Sequence, residues 1–209
     1  MTTMTKRAST APPPSGRMTV AEYEGLIARG ILDERARVEL IEGRIVSKMS
    51  KGPRHCAGAA LVRHVLTAAL GAAPGWLMRI EDPVAIPGRD SEPEPDVSIV
   101  RGGPLDYLEA QPRPDQVGLI VEISDSSLAD DRALAATYLR GGIPLYWIVN
   151  LVDGCLEVYR PRARRKTLRP GESVELALDG AVIVRLDVAG LIPPAAPANP
   201  ASGRRRRPR

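Results

Sequence analysis

Phenylalanine is absent from the 209 residues, and all aromatics together make up only 3%. Apolar residues still account for 44%, enough for one domain core, but that core has to be built from Leu, Ile, Val and Ala rather than from rings. Cysteine is almost missing as well. Cys56 and Cys155 stand alone and neither sits in a CxxC pair, which excludes a disulfide framework and makes a reducing compartment the expectation. The first 18 residues lack the apolar segment of a secretory signal, and no run reaches the ~18 apolar residues that a membrane span needs. A soluble, cytoplasmic protein with no membrane partner is therefore expected. No G-x-S-x-G elbow surrounds Ser124, Ser126 or Ser127, so a serine nucleophile is set aside and helix capping is expected of at least one of them. No internal repeat is present.

Charge of one sign is concentrated rather than spread. The formal net charge is +4, but residues 203–209 carry five arginines, and without them the remainder is −1. The basic character thus belongs to a tail, RRRRPR, which can contact nucleic acid non-specifically and with strong salt dependence. Residues 1–16 are rich in Thr, Ser, Ala and Pro, and 193–209 in Pro and Ala and then Arg. Both are expected to be disordered, leaving a domain over 17–192.

Within that domain the hydrophobic period changes several times. Thr19 is placed to cap a helix over 20–29, with Glu22 in its first turn. Residues 37–49 alternate apolar and polar on both sides of Glu42-Gly43, which predicts a strand pair with a turn there. Ala59, Val62, Val65, Leu66 and Ala69 share one face of a helix predicted over 54–71. Strands are predicted over 76–86, 95–100, 117–123, 143–151, 155–160 and 173–187. A helix is predicted over 127–140, capped by Ser126 or Ser127 and ended by Gly141-Gly142. This order implies an α/β fold with a mixed central β-sheet flanked by helices.

Two acids stand out against this background. Glu122 interrupts the apolar run VGLIVEI, where a carboxylate is costly unless it is paired, hydrogen-bonded or metal-bound. Asp96 opens the run PDVSIV. If the two strands are neighbours, both carboxylates point at one place and, with Glu39 as a third, offer the hard oxygen set that Mg²⁺ or Mn²⁺ takes. The alternative is that Asp96 caps a turn and Glu122 pairs with an arginine such as Arg140. His55, Arg54 and Lys51, near a helix start, are candidates for phosphate contact, since that end presents free N–H groups. A surface or capping role is the competing reading for each. His64, inside the helix, is read as structural, Cys56 is not read as a nucleophile, and Tyr146 and Trp147 are read as packing residues.

From Thr19 to Val152 the chain resembles the Uma2 family through MTVAEYEGL, RVELIEGRIVSKMSKGPRH, SEPEPDVSIV, VEISDSSLADDR and YLRGGIPLYWIVNL, which occur in the family's order. The resemblance implies the restriction-endonuclease-like PD-(D/E)XK fold and a metal-dependent DNA endonuclease. It further implies that Asp96 is the aspartate of that motif, that Glu122 is its second acid and that Glu39 helps to hold the metal. One departure matters. Family members carry a lysine on the helix after the VExS strand, where this chain has Ala135 or Leu134, and the lysine of the ordinary motif would fall at Ser124. Arg132 is the nearest candidate substitute, although a guanidinium differs in shape and proton chemistry. The family's Asp after the YW strand is Asn150 here. The competing expectation is a DNA-binding or regulatory protein of the same fold, weakened in catalysis. DNA is the expected partner, and a homodimer the expected way to cut two strands.

Overall fold

The computed structural model describes residues 16–33 and 35–194. The disorder expected of 1–16 and 193–209, like the arginine tail, lies outside the described residues except at Gly16, Pro193 and Pro194.

Helix α1, Val20–Ala28, begins as its sequence requires. Thr19 accepts from the Glu22 amide at 3.3 Å, and the Glu22 carboxylate accepts from the Thr19 amide at 2.8 Å, closing a capping box. Strands β1, Val38–Ile41, and β2, Arg44–Ser47, form an antiparallel hairpin. Its turn residues Glu42 and Gly43 both have positive φ, 49° and 75°, the backbone of a two-residue turn whose twist matches that of paired strands. Arg89 grips the Glu42 carboxylate through both oxygens, and Thr137 Oγ1 donates to it at 2.8 Å, so the non-glycine left-handed residue is locked from two sides.

The main sheet has six strands in the order β3-β4-β5-β6-β7-β8. They are β3, Trp76–Arg79; β4, Val97–Arg101; β5, Val117–Ser124; β6, Tyr146–Asn150; β7, Cys155–Tyr159; and β8, Lys166–Leu168. Only β5 and β6 run parallel, joined through helix α3, Leu128–Arg140; every other pair is antiparallel. The mixed α/β architecture expected from the sequence is therefore present.

Alternation along β5 assigns its two faces. Leu119, Val121 and Ile123 pack with Val62, Leu66 and Ala69 of helix α2, Pro53–Leu70, and with the separate hairpin β9, Ser173–Leu178, and β10, Ala181–Asp187. Ile120 faces the other way, onto Ala135 and Tyr138 of α3. Fully burying each such aliphatic side chain contributes about 1.5–3 kcal/mol, so the two aliphatic layers do the work that phenylalanines do elsewhere. Gly118 must lack a side chain, because a Cβ there would lie 2.5 Å from Leu178 and 2.8 Å from the Trp76 ring.

The strand predicted over 76–86 ends early, at Arg79. Glu81 has φ 55°, and Pro83 cannot donate to a ladder, so the chain leaves the sheet and loops under α3. The segment 166–168 pairs with β7 as an edge strand that the sequence does not reveal, since KTL has no apolar alternation. No helix among the described residues is long and apolar enough to cross a membrane.

Candidate metal centre

Asp96 and Glu122 meet because β4 and β5 are neighbours. Val97 pairs with Val121, which carries the preceding Asp96 opposite Glu122. Each carboxylate is then tied to the other's strand: Ile123 N donates to Asp96 Oδ2 at 2.8 Å, and Asp96 N donates to Glu122 Oε2 at 3.1 Å. Tyr138 OH, from α3, donates to the remaining oxygen of Glu122 at 3.0 Å. No arginine is among these partners of Glu122, so the pairing with Arg140 considered from the sequence does not form.

Glu39 arrives from β1. A bridge between Leu40 and Glu92 brings β1 beside the segment leading to Asp96, and Glu94 N donates to Glu39 Oε2 at 3.0 Å. A fourth acid comes from α3. Asp131 is buried, and accepts from Ser127 Oγ at 2.6 Å and from Ser124 Oγ. Ser127, the residue before the first turn of α3, thus spends its hydroxyl on Asp131 rather than on capping the helix. Sequence reasoning missed Asp131 as a site residue; its signal was an acid on the apolar side of a helix, one turn after a serine.

Glu39, Asp96, Glu122 and Asp131 line one open cleft of 720 Å³, bounded by the β1–β2 hairpin, the loop before α2, and α3. Their electrostatics are uneven. Burial, then the charges of Asp96 and Asp131, pushes Glu122 well above the usual carboxylate range. Burial raises Glu39 and Asp131 as well. At Asp96 burial acts in the same direction, but hydrogen bonds from His55 and Lys51 outweigh it and hold the carboxyl low. Three of the four acids thus hold protons more readily than free carboxylates do, first because they are buried and then because other acids stand near. Hard oxygen donors from four elements, β1, the start of β4, β5 and α3, are the kind of set that suits a divalent cation that keeps some of its own waters.

The cations that line the cleft come from the segment between β2 and the first turn of α2: Lys48, which is paired with Glu94, and then Lys51 and His55. Lys51 Nζ lies 2.6 Å from Asp96 Oδ1 and 3.0 Å from Glu81 Oε1, while His55 Nε2 lies 3.0 Å from the same Asp96 oxygen. Burial opposes the Lys51 charge, but the bonds to Asp96 and Glu81 more than offset it and raise the ammonium above its ordinary value. Arg54 turns to the rim instead, donating to the Leu151 carbonyl at 2.9 Å with Asp125 at 3.5 Å.

Arg132 requires a correction. Its guanidinium points away from the four acids and pairs with Glu157 on β7, with Nε 3.1 Å from Oε2. The reason is charge: Glu157 is 1% exposed and draws Arg132, Arg165, Asn150 and Tyr159 to itself. Asn150 thereby gains an account, because its amide donates to Glu157 at 3.0 Å and to Asp153 at 2.9 Å where an aspartate would repel both. Asp153, Cys155 and Glu157 do place their ligand atoms within 4.8 Å of one another. The arginines already offset that charge, so this group does not call for a metal. Of the two positions at which the resemblance implies a lysine, Leu134 lines the cleft and Ala135 is packed into the core.

Comparison with known proteins agrees with this fold. The model of the Uma2 family, described as "Putative restriction endonuclease", matches residues 20–189. A solved structure from Anabaena variabilis ATCC 29413, described as a "putative nuclease belonging to DUF820", superposes with a TM-score of 0.68 at 18% identity, over 83% of this chain and 97% of that one. No curated protein matches. The match of the family model over residues 20–189, most of the chain, makes this protein a member of the Uma2 family.

Proposed function

We propose that the chain is a divalent-metal-dependent nuclease that hydrolyses DNA phosphodiester bonds, with Mg²⁺ or Mn²⁺ held by Asp96, Glu122 and Glu39. The observation that carries this reading is the open cleft in which those acids and Asp131 gather with too little positive charge around them. A bound metal of this kind supplies Lewis-acid polarisation of a phosphoryl oxygen and acidifies the water it carries.

The chain's own residues supply the rest. The cross-strand amide bonds of Asp96 and Glu122 fix both carboxylates in the sheet, so neither has to reorganise when substrate arrives. Tyr138 orients Glu122 from the α3 side. Asp131, held by two serine hydroxyls, adds negative charge that favours a cation and disfavours an unaccompanied phosphate. His55 steadies Asp96 from the first turn of α2, and Arg54 stands at the rim where a strand of DNA would pass. Cutting both strands of a duplex would call on two copies of such a cleft, as in a homodimer.

A second reading is a DNA-binding protein of the same fold with little catalysis. One observation favours it: α3 presents Asp130, Asp131, Ala133, Leu134 and Thr137 to the cleft and no cation, because Arg132 is spent on Glu157. Plasmid nicking separates the two. With Mg²⁺ or Mn²⁺ the wild type is expected to convert supercoiled to open-circular DNA, while EDTA, Asp96→Ala and Glu122→Ala each reduce the rate by roughly 10³-fold or more. A folded wild type inert with every divalent metal would sink the nuclease reading and leave the second.

A further inference from the structure

We infer that Lys51 provides the catalytic ammonium that α3 lacks, delivered from the loop between β2 and α2. The inference rests on the nuclease reading above and adds to it the residue that faces the scissile phosphate.

The argument is one of position. The cleft surface of α3 carries no basic side chain. Lys51 sits on the opposite wall, at the foot of α2, where Gly52 and Pro53 turn the chain into the helix. Its Nζ is 2.6 Å from Asp96 Oδ1, the acid that also reaches β5 through the Ile123 amide. An ammonium has three N–H donors. Asp96 takes one and Glu81 a second, at 3.0 Å, which leaves the third for the cleft that Lys51 lines. Held this way, the ammonium is preorganised beside the acids, and its remaining donor can meet the charge that builds on a phosphoryl oxygen during hydrolysis. Lys51 stays protonated through the step; it neither takes a proton nor carries a ligand.

A purely structural Lys51, serving only to neutralise Asp96, makes different predictions, so three readouts are needed: kcat and KM for plasmid cleavage, Mn²⁺ affinity by calorimetry in the absence of DNA, and the thermal melt. Lys51→Ala is expected to lower kcat by about 10²–10³-fold, to change KM by less than threefold, and to bind Mn²⁺ at least as tightly as wild type. Lys166→Ala, on the far edge strand, controls for loss of any surface lysine and stays within twofold. Moving the charge back to α3, in Lys51→Ala with Leu134→Lys, is expected to recover at least tenfold in kcat. The inference is overturned if Lys51→Ala keeps its kcat within threefold, or if its lost activity follows weaker Mn²⁺ binding or a collapsed melt. It is equally overturned if the double variant is no better than Lys51→Ala, because the role then belongs to the Asp96–Glu81 link and not to the charge. A wild type that never cleaves would remove the nuclease reading itself, and this inference with it, whereas a cleaving wild type with an equally active Lys51→Ala removes Lys51 alone.

Discussion

Glu122 and Glu157 occupy one row of the sheet. Glu122 on β5 is registered with Ile148 on β6, and Ile148 with Glu157 on β7, so the two glutamates flank one isoleucine on the face that looks toward α3. Both are buried. Their environments are opposite. Glu157 has two arginines, an amide and a phenol, which override burial and draw its carboxyl down to about 2. Glu122 has a phenol, a backbone amide and other acids, and is pushed up. Two strand spacings, about 10 Å, suffice for one sheet to hold a satisfied charge and an unsatisfied one side by side. Burial alone does not separate these two carboxylates; the arginines beside Glu157, and their absence beside Glu122, do.

The comparison can be broken most forcefully at Glu157. Glu157→Ala strands Arg132 and Asn150 beside a hole and is expected to cost about 3 kcal/mol, seen as a lower denaturation midpoint, while the folded fraction cleaves as before. Arg132→Ala leaves Arg165 on Glu157 and is expected to cost only about 1–2 kcal/mol. Cleavage within threefold of wild type would show that Arg132 belongs to the Glu157 half of the row, and a loss of 100-fold would place it in the cleft after all. Glu122→Gln is expected to do the reverse of Glu157→Ala: activity is lost while the melt of the metal-free protein stays level or rises by about 1 kcal/mol, because an amide is cheaper to bury than an uncompensated charge. A clear fall in that melt would mean that Glu122 is a structural ion and not a poised one. The cluster around Glu157 also responds to acid. The folded-state pKa of Glu157, about 2, lies below its ordinary 4.5, so its contribution to stability is complete above that ordinary value and fades as the pH falls toward 2. Acid unfolding should therefore begin at a higher pH in wild type than in a Glu157→Gln variant compared at matched stability.

How much of this was legible beforehand follows from the range of each signal. Asp96 and Glu122 were readable because an acid in an apolar strand breaks a local pattern, and neighbouring strands bring such breaks together. The hairpin turn at Glu42-Gly43 and the Thr19 cap were readable because they are made by residues a few positions apart. The direction of Arg132 was not. It depends on β7 lying two strands from β5, a pairing between residues 25 positions apart that no periodicity encodes. Asp131 was hidden in an ordinary acidic first helical turn; its one sequence signal, a place on the same helical face as Ala135 and Tyr138, is weak beside Asp130. Lys51 was noticed as a charge near a helix start, but its bond to Asp96 spans 45 positions.

The crossed bonds between Asp96 and the Ile123 amide, and between Glu122 and the Asp96 amide, carry a further consequence. These side chains serve as rungs of the β4–β5 ladder, so Asp96 and Glu122 cannot separate while the sheet stays paired. Amide hydrogen exchange at Asp96 and Ile123 should accordingly proceed only through the rarest openings of the protein, at the pace of the central strands and not of a surface cleft. A partly unfolded chain in which β4 and β5 have parted therefore no longer holds Asp96 against Glu122: the pair forms with the central sheet and is lost with it.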